Sequence, residues 1–159
     1  MDDGQFPKEF IPHLNLGDYG SSRSYYAILY KNNTKQSKFT IEVESNATTG
    51  YSWYSVGIYE KAAIPNEPYQ DSLKNIIDND FVKRKISEGS TLDGLSVTPF
   101  DYSSSPSAHG VVGTSGVSKA TISASSECKS GDYLVLLSYA QPFSPLTNCY
   151  YKKIYVRII

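Results

Sequence analysis

The segment KFTIEVES, Lys38 to Ser45, alternates apolar and polar side chains at each step, with Phe39, Ile41 and Val43 on one face and Thr40, Glu42 and Glu44 on the other. A period of two belongs to a strand with one buried and one wet face; an amphipathic helix would repeat its apolar positions every three or four residues. The alternation returns where Ala120, Ile122 and Ala124 interleave with Lys119, Thr121 and Ser123, and again where Ile154, Val156 and Ile158 interleave with Lys153, Tyr155 and Arg157. RSYYAILYK (Arg23 to Lys31), GYSWYSVGIY (Gly50 to Tyr59) and LSVTPF (Leu95 to Phe100) add Tyr- and aliphatic-rich strand candidates. SGDYLVLLSYA, Ser130 to Ala140, is apolar on both faces and predicts a central strand.

About seven short strands separated by turn signals predict an all-β fold, an immunoglobulin-like Greek-key β-sandwich. The Cys…Trp…Cys spacing of antibody domains is missing, so only the architecture carries over. The rhythm breaks over residues 60–94. There Pro65 and Pro68 mark an irregular connection, and Leu73, Ile76, Ile77 and Phe81 recur at helical spacing. Asp71 or Ser72 is the expected N-cap and Gly89 the stop of one short helix inside an insertion. The charges of VKRK, Val82 to Lys85, read as the solvated side of that helix. Residues 1–22, with Pro7, Pro12, Gly17 and Gly20, read as an extended N-terminal arm ahead of a single domain over 23–159. DYSSSPSAHGVVGTSG, Asp101 to Gly116, reads as a long loop.

The chain has 159 residues, enough for one domain with a substantial core. Fifteen basic and sixteen acidic residues leave a net charge of −1, so no overall field draws it to nucleic acid or to an anionic membrane. No apolar run approaches the length of a membrane span. The N-terminus, MDDGQFPKEF, lacks the basic and apolar regions of a signal peptide. Either the protein is cytoplasmic, or a targeting segment has been removed and it is secreted or vesicular. Fourteen tyrosines suit half-buried sheet faces.

Cys128 precedes the turn into the sixth predicted strand, and Cys149 begins the seventh. In an antiparallel hairpin Cys149 would lie near Tyr139, on the order of 30 Å from Cys128 at about 3.3 Å per residue. A disulfide needs Cα atoms within roughly 7 Å, so two free thiols are expected.

No constellation points to an enzyme. His13 and His109 fall in the arm and a loop, and nothing fixes a Cys149–His109 pair. No metal spacing, carboxylate pair or phosphate loop is present, and no cofactor is implied. Three loops are more informative: NATTG between the second and third strands, GTSG (Gly113, Thr114, Ser115, Gly116) between the fourth and fifth, and QPF (Gln141, Pro142, Phe143) between the sixth and seventh. In an immunoglobulin-like topology these BC, DE and FG loops gather at one end, where a rigid scaffold usually carries recognition.

On these residues the chain resembles the chagasin family, protein inhibitors of papain-like cysteine peptidases. Members carry an Asn-Pro-Thr-Thr-Gly-aromatic loop, a Gly-x-Gly-Gly loop and an Arg-Pro-Trp loop. Here the first is Asn46-Ala47-Thr48-Thr49-Gly50-Tyr51, the second Gly113 to Gly116 and the third Gln141 to Phe143, matching in order and approximate spacing over 25–159 apart from the insertion around 60–94. The arm and the insertion resemble the elaborated domains of malaria-parasite members. Ala47 stands for the motif proline and forfeits its fixed φ. Ser115 stands for a glycine, and Gln141 and Phe143 stand for Arg and Trp, two residue types that often dominate interface energy.

The resemblance implies reversible inhibition by occlusion in a 1:1 complex. The loop Asn46 to Tyr51 would enter the cleft with Thr48 and Thr49 over the catalytic cysteine, and Trp53 would support it from behind. Gly113 to Gly116 and Gln141 to Phe143 would flank it on either side. The alternative is an adhesion or receptor-binding module whose loops merely match the motif. Asn46-Ala47-Thr48 and Asn32-Asn33-Thr34 are also N-glycosylation acceptors. A glycan on Asn46 would block entry to a cleft, so occlusion requires Asn46 unmodified.

Overall fold

A computed structural model of the chain describes residues 3–104 and 116–159. Two sheets face each other. The first contains β1 (His13–Asn15), β3 (Lys38–Ser45), β8 (Gly116–Ala124), β6 (Leu95–Val97) and β5 (Ser90–Leu92) in that order, with β7 (Asp101–Ser104) also paired to β8. The second runs β2 (Ser24–Leu29), β10 (Tyr150–Ile158), β9 (Gly131–Ala140), β4 (Ser52–Glu60). The predicted alternation is the burial pattern found. Phe39, Ile41 and Val43 from β3, Ala120 and Ile122 from β8, and Ile154, Val156 and Ile158 from β10 meet in one core. The fold is the expected immunoglobulin-like β-sandwich with a helix-bearing insertion.

SGDYLVLLSYA is central, as its composition predicts: β9 pairs antiparallel with β10 on one side and β4 on the other. Its inner face, Tyr133, Val135, Leu137 and Tyr139, joins the sandwich core. Its outer face, Leu134, Leu136 and Ala140, is buried with Tyr69, Leu73, Ile77 and Val82 from the insertion. The insertion therefore acts as a third layer that shields the second face of the sheet from water, which is why the strand can be apolar throughout.

In place of the one predicted helix there are a single helical turn, α1 (Tyr69–Ser72), and a longer helix, α2 (Asn79–Glu88); Leu73, Ile76 and Ile77 lie between them, and of the four periodic residues Phe81 falls in α2. The cap of α2 is Asp78, not Asp71 or Ser72. The Asp78 carboxylate accepts the Phe81 backbone N–H at 2.8 Å, while the chain breaks between α1 and α2. Gly89 stops α2 as expected. It has φ 72°, and a Cβ there would lie 2.1 Å from the Val97 carbonyl oxygen.

Two further segments depart from the sequence reading. Part of the predicted arm is strand: β1 pairs parallel with β3, and Leu16 and Phe6 are buried. Asp101–Ser104, read as the start of a loop, pairs with β8 from Lys119 to Gly116. All four residues of β7 are exposed, so no apolar alternation announces it; main-chain pairing alone forms the strand. Cys128 and Cys149 are free thiols, as predicted from their separation.

Candidate inhibitory site

The loop between β3 and β4 is held by its own first residue. Asn46 Oδ1 accepts from the Thr48 N–H at 3.1 Å and from the Thr48 hydroxyl at 2.7 Å. The Asn46 carbonyl accepts from the Thr49 hydroxyl at 2.7 Å and from the Thr49 N–H at 3.4 Å. These bonds close a turn of 3-10 helix over Ala47–Thr49, the local arrangement for which Asn and Thr side chains are suited. Gly50 follows at φ 79°, a left-handed conformation that glycine adopts without strain, and turns the chain into β4. Thr48, Thr49 and Gly50 are exposed at the tip.

Behind the tip lies a packed aromatic base. Trp53 is 2% exposed, donates its indole N–H to the Glu44 carbonyl at 2.9 Å and stacks on Tyr139 with ring centroids 4.8 Å apart. The Tyr51 ring sits 5.0 Å from Tyr139, and its hydroxyl donates to the Asn148 carbonyl at 2.9 Å. Desolvation first, and then Tyr150 and Cys149 beside it, push the Tyr51 phenol above its usual range.

The third predicted loop meets the first. Gln141 donates its side-chain amide to the Thr49 carbonyl at 2.9 Å. A tight turn, closed by the Ser144 N–H on the Gln141 carbonyl at 3.0 Å, then projects Phe143, which is 69% exposed. Of the second predicted loop, Gly113, Thr114 and Ser115 lie outside the described residues, as does His109. Gly116 opens β8 opposite Ser45, so that loop joins the sheet one residue from Asn46. Gly116 is tightly enclosed, and a Cβ would stand 2.3 Å from the Ser103 carbonyl oxygen.

Residues 46–51 and 141–143 contain no charged side chain, so the described part of this end offers shape, hydroxyls and main-chain groups. Among the described residues no cluster of His, Cys, Asp or Glu could hold a metal ion. The sequence reading missed Tyr139, Tyr19, Tyr150 and Asn148, which surround the loop. They come from the N-terminal segment, the end of β9, the β9–β10 connection and the start of β10, and only the tertiary fold brings them around the loop.

The chagasin family peptidase inhibitor model matches residues 32–156. The chain belongs to the chagasin family. Members of that family are peptidase inhibitors and not enzymes. No characterised protein sequence matches the chain significantly. Among solved structures, PbICP-C, determined in complex with falcipain-2, is 24% identical with a TM-score of 0.64, over 92% of this chain and 98% of that one. The solution structure of Amebosin is 20% identical with a TM-score of 0.54, over 93% and 99%. The cysteine protease inhibitor EhICP2 from Entamoeba histolytica is 14% identical with a TM-score of 0.46, over 95% and 99%. The first two show the same fold.

Proposed function

We propose that this chagasin-family chain inhibits papain-like cysteine peptidases of the cathepsin L type, reversibly and in a 1:1 complex, by filling the active-site cleft. Asn46 to Tyr51 forms the wedge, with Thr48 and Thr49 over the catalytic cysteine. Gly113 to Gly116 runs along one side of the cleft, and Gln141 to Phe143 clamps the other. The inhibitory unit is 23–159, preceded by the arm 1–22, whose described residues lie against it.

The observation that carries this reading is the coiled, exposed and internally bonded tip. A substrate offers an extended peptide whose carbonyl can be attacked in line, whereas Ala47–Thr49 is wound into a 3-10 turn. The hydroxyl protons of Thr48 and Thr49 are already donated to Asn46. The wedge thus reaches the cleft with much of its conformational entropy already lost, which favours binding without presenting a bond for cleavage. An interface of standard size would cover about 800 Å² on each partner. The falcipain-2 complex of PbICP-C, a protein of the same fold, supports a peptidase as the partner.

The test is a titration against papain and cathepsin L, followed by hydrolysis of a fluorogenic peptide, with trypsin as control. Stoichiometric loss of the cysteine-peptidase activities alone, with the inhibitor uncut, is the expected result. Full activity of both cysteine peptidases at a large excess of the chain would refute the proposal.

A further inference from the structure

We propose that Tyr139 is a positioning residue for the inhibitory loop, and that the N-terminal segment acts on the loop through Tyr19. This inference rests on the occlusion reading above. The Tyr139 hydroxyl is bonded to both main-chain groups of Asn46: it accepts the Asn46 N–H at 2.8 Å and donates to the Asn46 carbonyl at 3.3 Å. Asn46 is also the residue on which the whole turn is built, since both threonine hydroxyls end on it. One phenol therefore fixes the root from which the tip is measured.

The ring that carries this hydroxyl is itself clamped. Tyr139 is 2% exposed and lies against Trp53 at 4.8 Å, Tyr51 at 5.0 Å and Tyr19 at 5.4 Å. Tyr19 also packs on Tyr150 at 5.3 Å, and with Asn46, Thr49 and Tyr51 these rings line a cavity of about 130 Å³ under the loop. The segment bearing Tyr19 is tied down on both sides. The Gly17 carbonyl accepts the Glu44 N–H at 3.0 Å, and the Ser21 carbonyl accepts the buried Lys152 ammonium at 2.8 Å. Residues far apart in the chain thus converge on one backbone position. A loop so braced keeps its bound shape while free, and the benefit falls on the lifetime of the complex more than on the encounter rate.

The experiment compares wild type, Tyr139→Phe and Tyr19→Ser as full chains with papain as the probe. Tyr139→Phe keeps the ring and its packing and removes only the hydroxyl. Dissociation, followed by recovery of papain activity after dilution into substrate, should be about tenfold faster for Tyr139→Phe, from the loss of two hydrogen bonds of ordinary strength, with association changed less than about twofold. Tyr19→Ser removes the ring contacts with Tyr139 and Tyr150 and should move dissociation in the same direction by about threefold. Without any peptidase, hydrogen exchange at the Asn46 amide should speed up in Tyr139→Phe while the β9–β10 ladder stays protected, a local effect that a general loss of stability would not give. A wild-type chain that leaves papain active overturns the occlusion reading and this inference with it. Wild-type inhibition with unchanged dissociation of Tyr139→Phe, or unchanged Asn46 exchange, overturns the inference alone.

Discussion

Gln141 donates its side-chain amide to the Thr49 main-chain carbonyl across 2.9 Å, and the bond joins two loops that are 92 residues apart in the chain. It ties the tip of the β3–β4 loop to the turn that projects Phe143. Arginine stands at this position in the family motif, and the shorter, neutral Gln is spent within the molecule. Replacing Gln141 with Ala removes an intramolecular bond, so it should cost no more than about 1 kcal/mol of stability and, by loosening the loop tip, weaken peptidase binding about three- to tenfold. Inhibition constants measured beside chemical denaturation check both halves. A large loss of stability with unchanged inhibition would assign Gln141 to the fold alone.

Two exposed residues separate binding from folding. Phe143 has 69% of its surface in water, so Phe143→Ala should shift Tm by less than about 1 °C while weakening inhibition about tenfold or more, as expected of an aromatic anchor. Thr49→Arg places a long charged side chain at the tip and should abolish inhibition of papain while leaving the far-ultraviolet dichroism unchanged. Full inhibition by Thr49→Arg would remove the wedge from the mechanism.

Gly116 tests the junction of the second loop. A methyl there would stand 2.3 Å from the Ser103 carbonyl oxygen and 2.8 Å from the Tyr102 hydroxyl, and the backbone contact forces β7 to move. Gly116→Ala should cost about 1–3 kcal/mol and lower Tm by roughly 2–8 °C. Thermal unfolding checks this. A Tm equal to wild type would mean that β7 yields freely and that its pairing with β8 contributes little.

Arg157 and Asp132 give stability a defined pH dependence. The guanidinium donates to both carboxylate oxygens, at 2.8 and 2.9 Å, and this holds the Asp132 carboxyl below its usual range against the opposing effect of burial. Because the folded-state pKa is depressed, the contribution is complete above the unfolded value of about 3.9 and fades as pH falls through the folded value. Asp132→Asn should therefore be about 1 kcal/mol less stable than wild type at pH 7, with a gap that closes as pH falls below about 4. Urea denaturation across that range measures it. A gap that persisted undiminished to pH 2 would locate the loss in packing and not in charge.

Much of the framework was legible because strand alternation is a local record of burial. Phe39, Ile41 and Val43 announce their face whatever lies opposite, and LVLL announces a strand covered on both sides without revealing its cover. The loop proposed as the wedge carries a local signal too: Asn46, Thr48, Thr49 and Gly50 form their turn from bonds within a few residues. Tertiary structure alone decided the rest. β1 and β7 exist through main-chain pairing with β3 and β8, which leaves no apolar pattern in HLN or DYSS. The helix is capped at Asp78, whose carboxylate accepts the Phe81 N–H, and not at Asp71 or Ser72, because the chain breaks between α1 and α2. Tyr139 reaches Asn46 across 93 residues of chain. A tyrosine in a strand is written the same way wherever its hydroxyl ends, and register and sheet packing settle where that is.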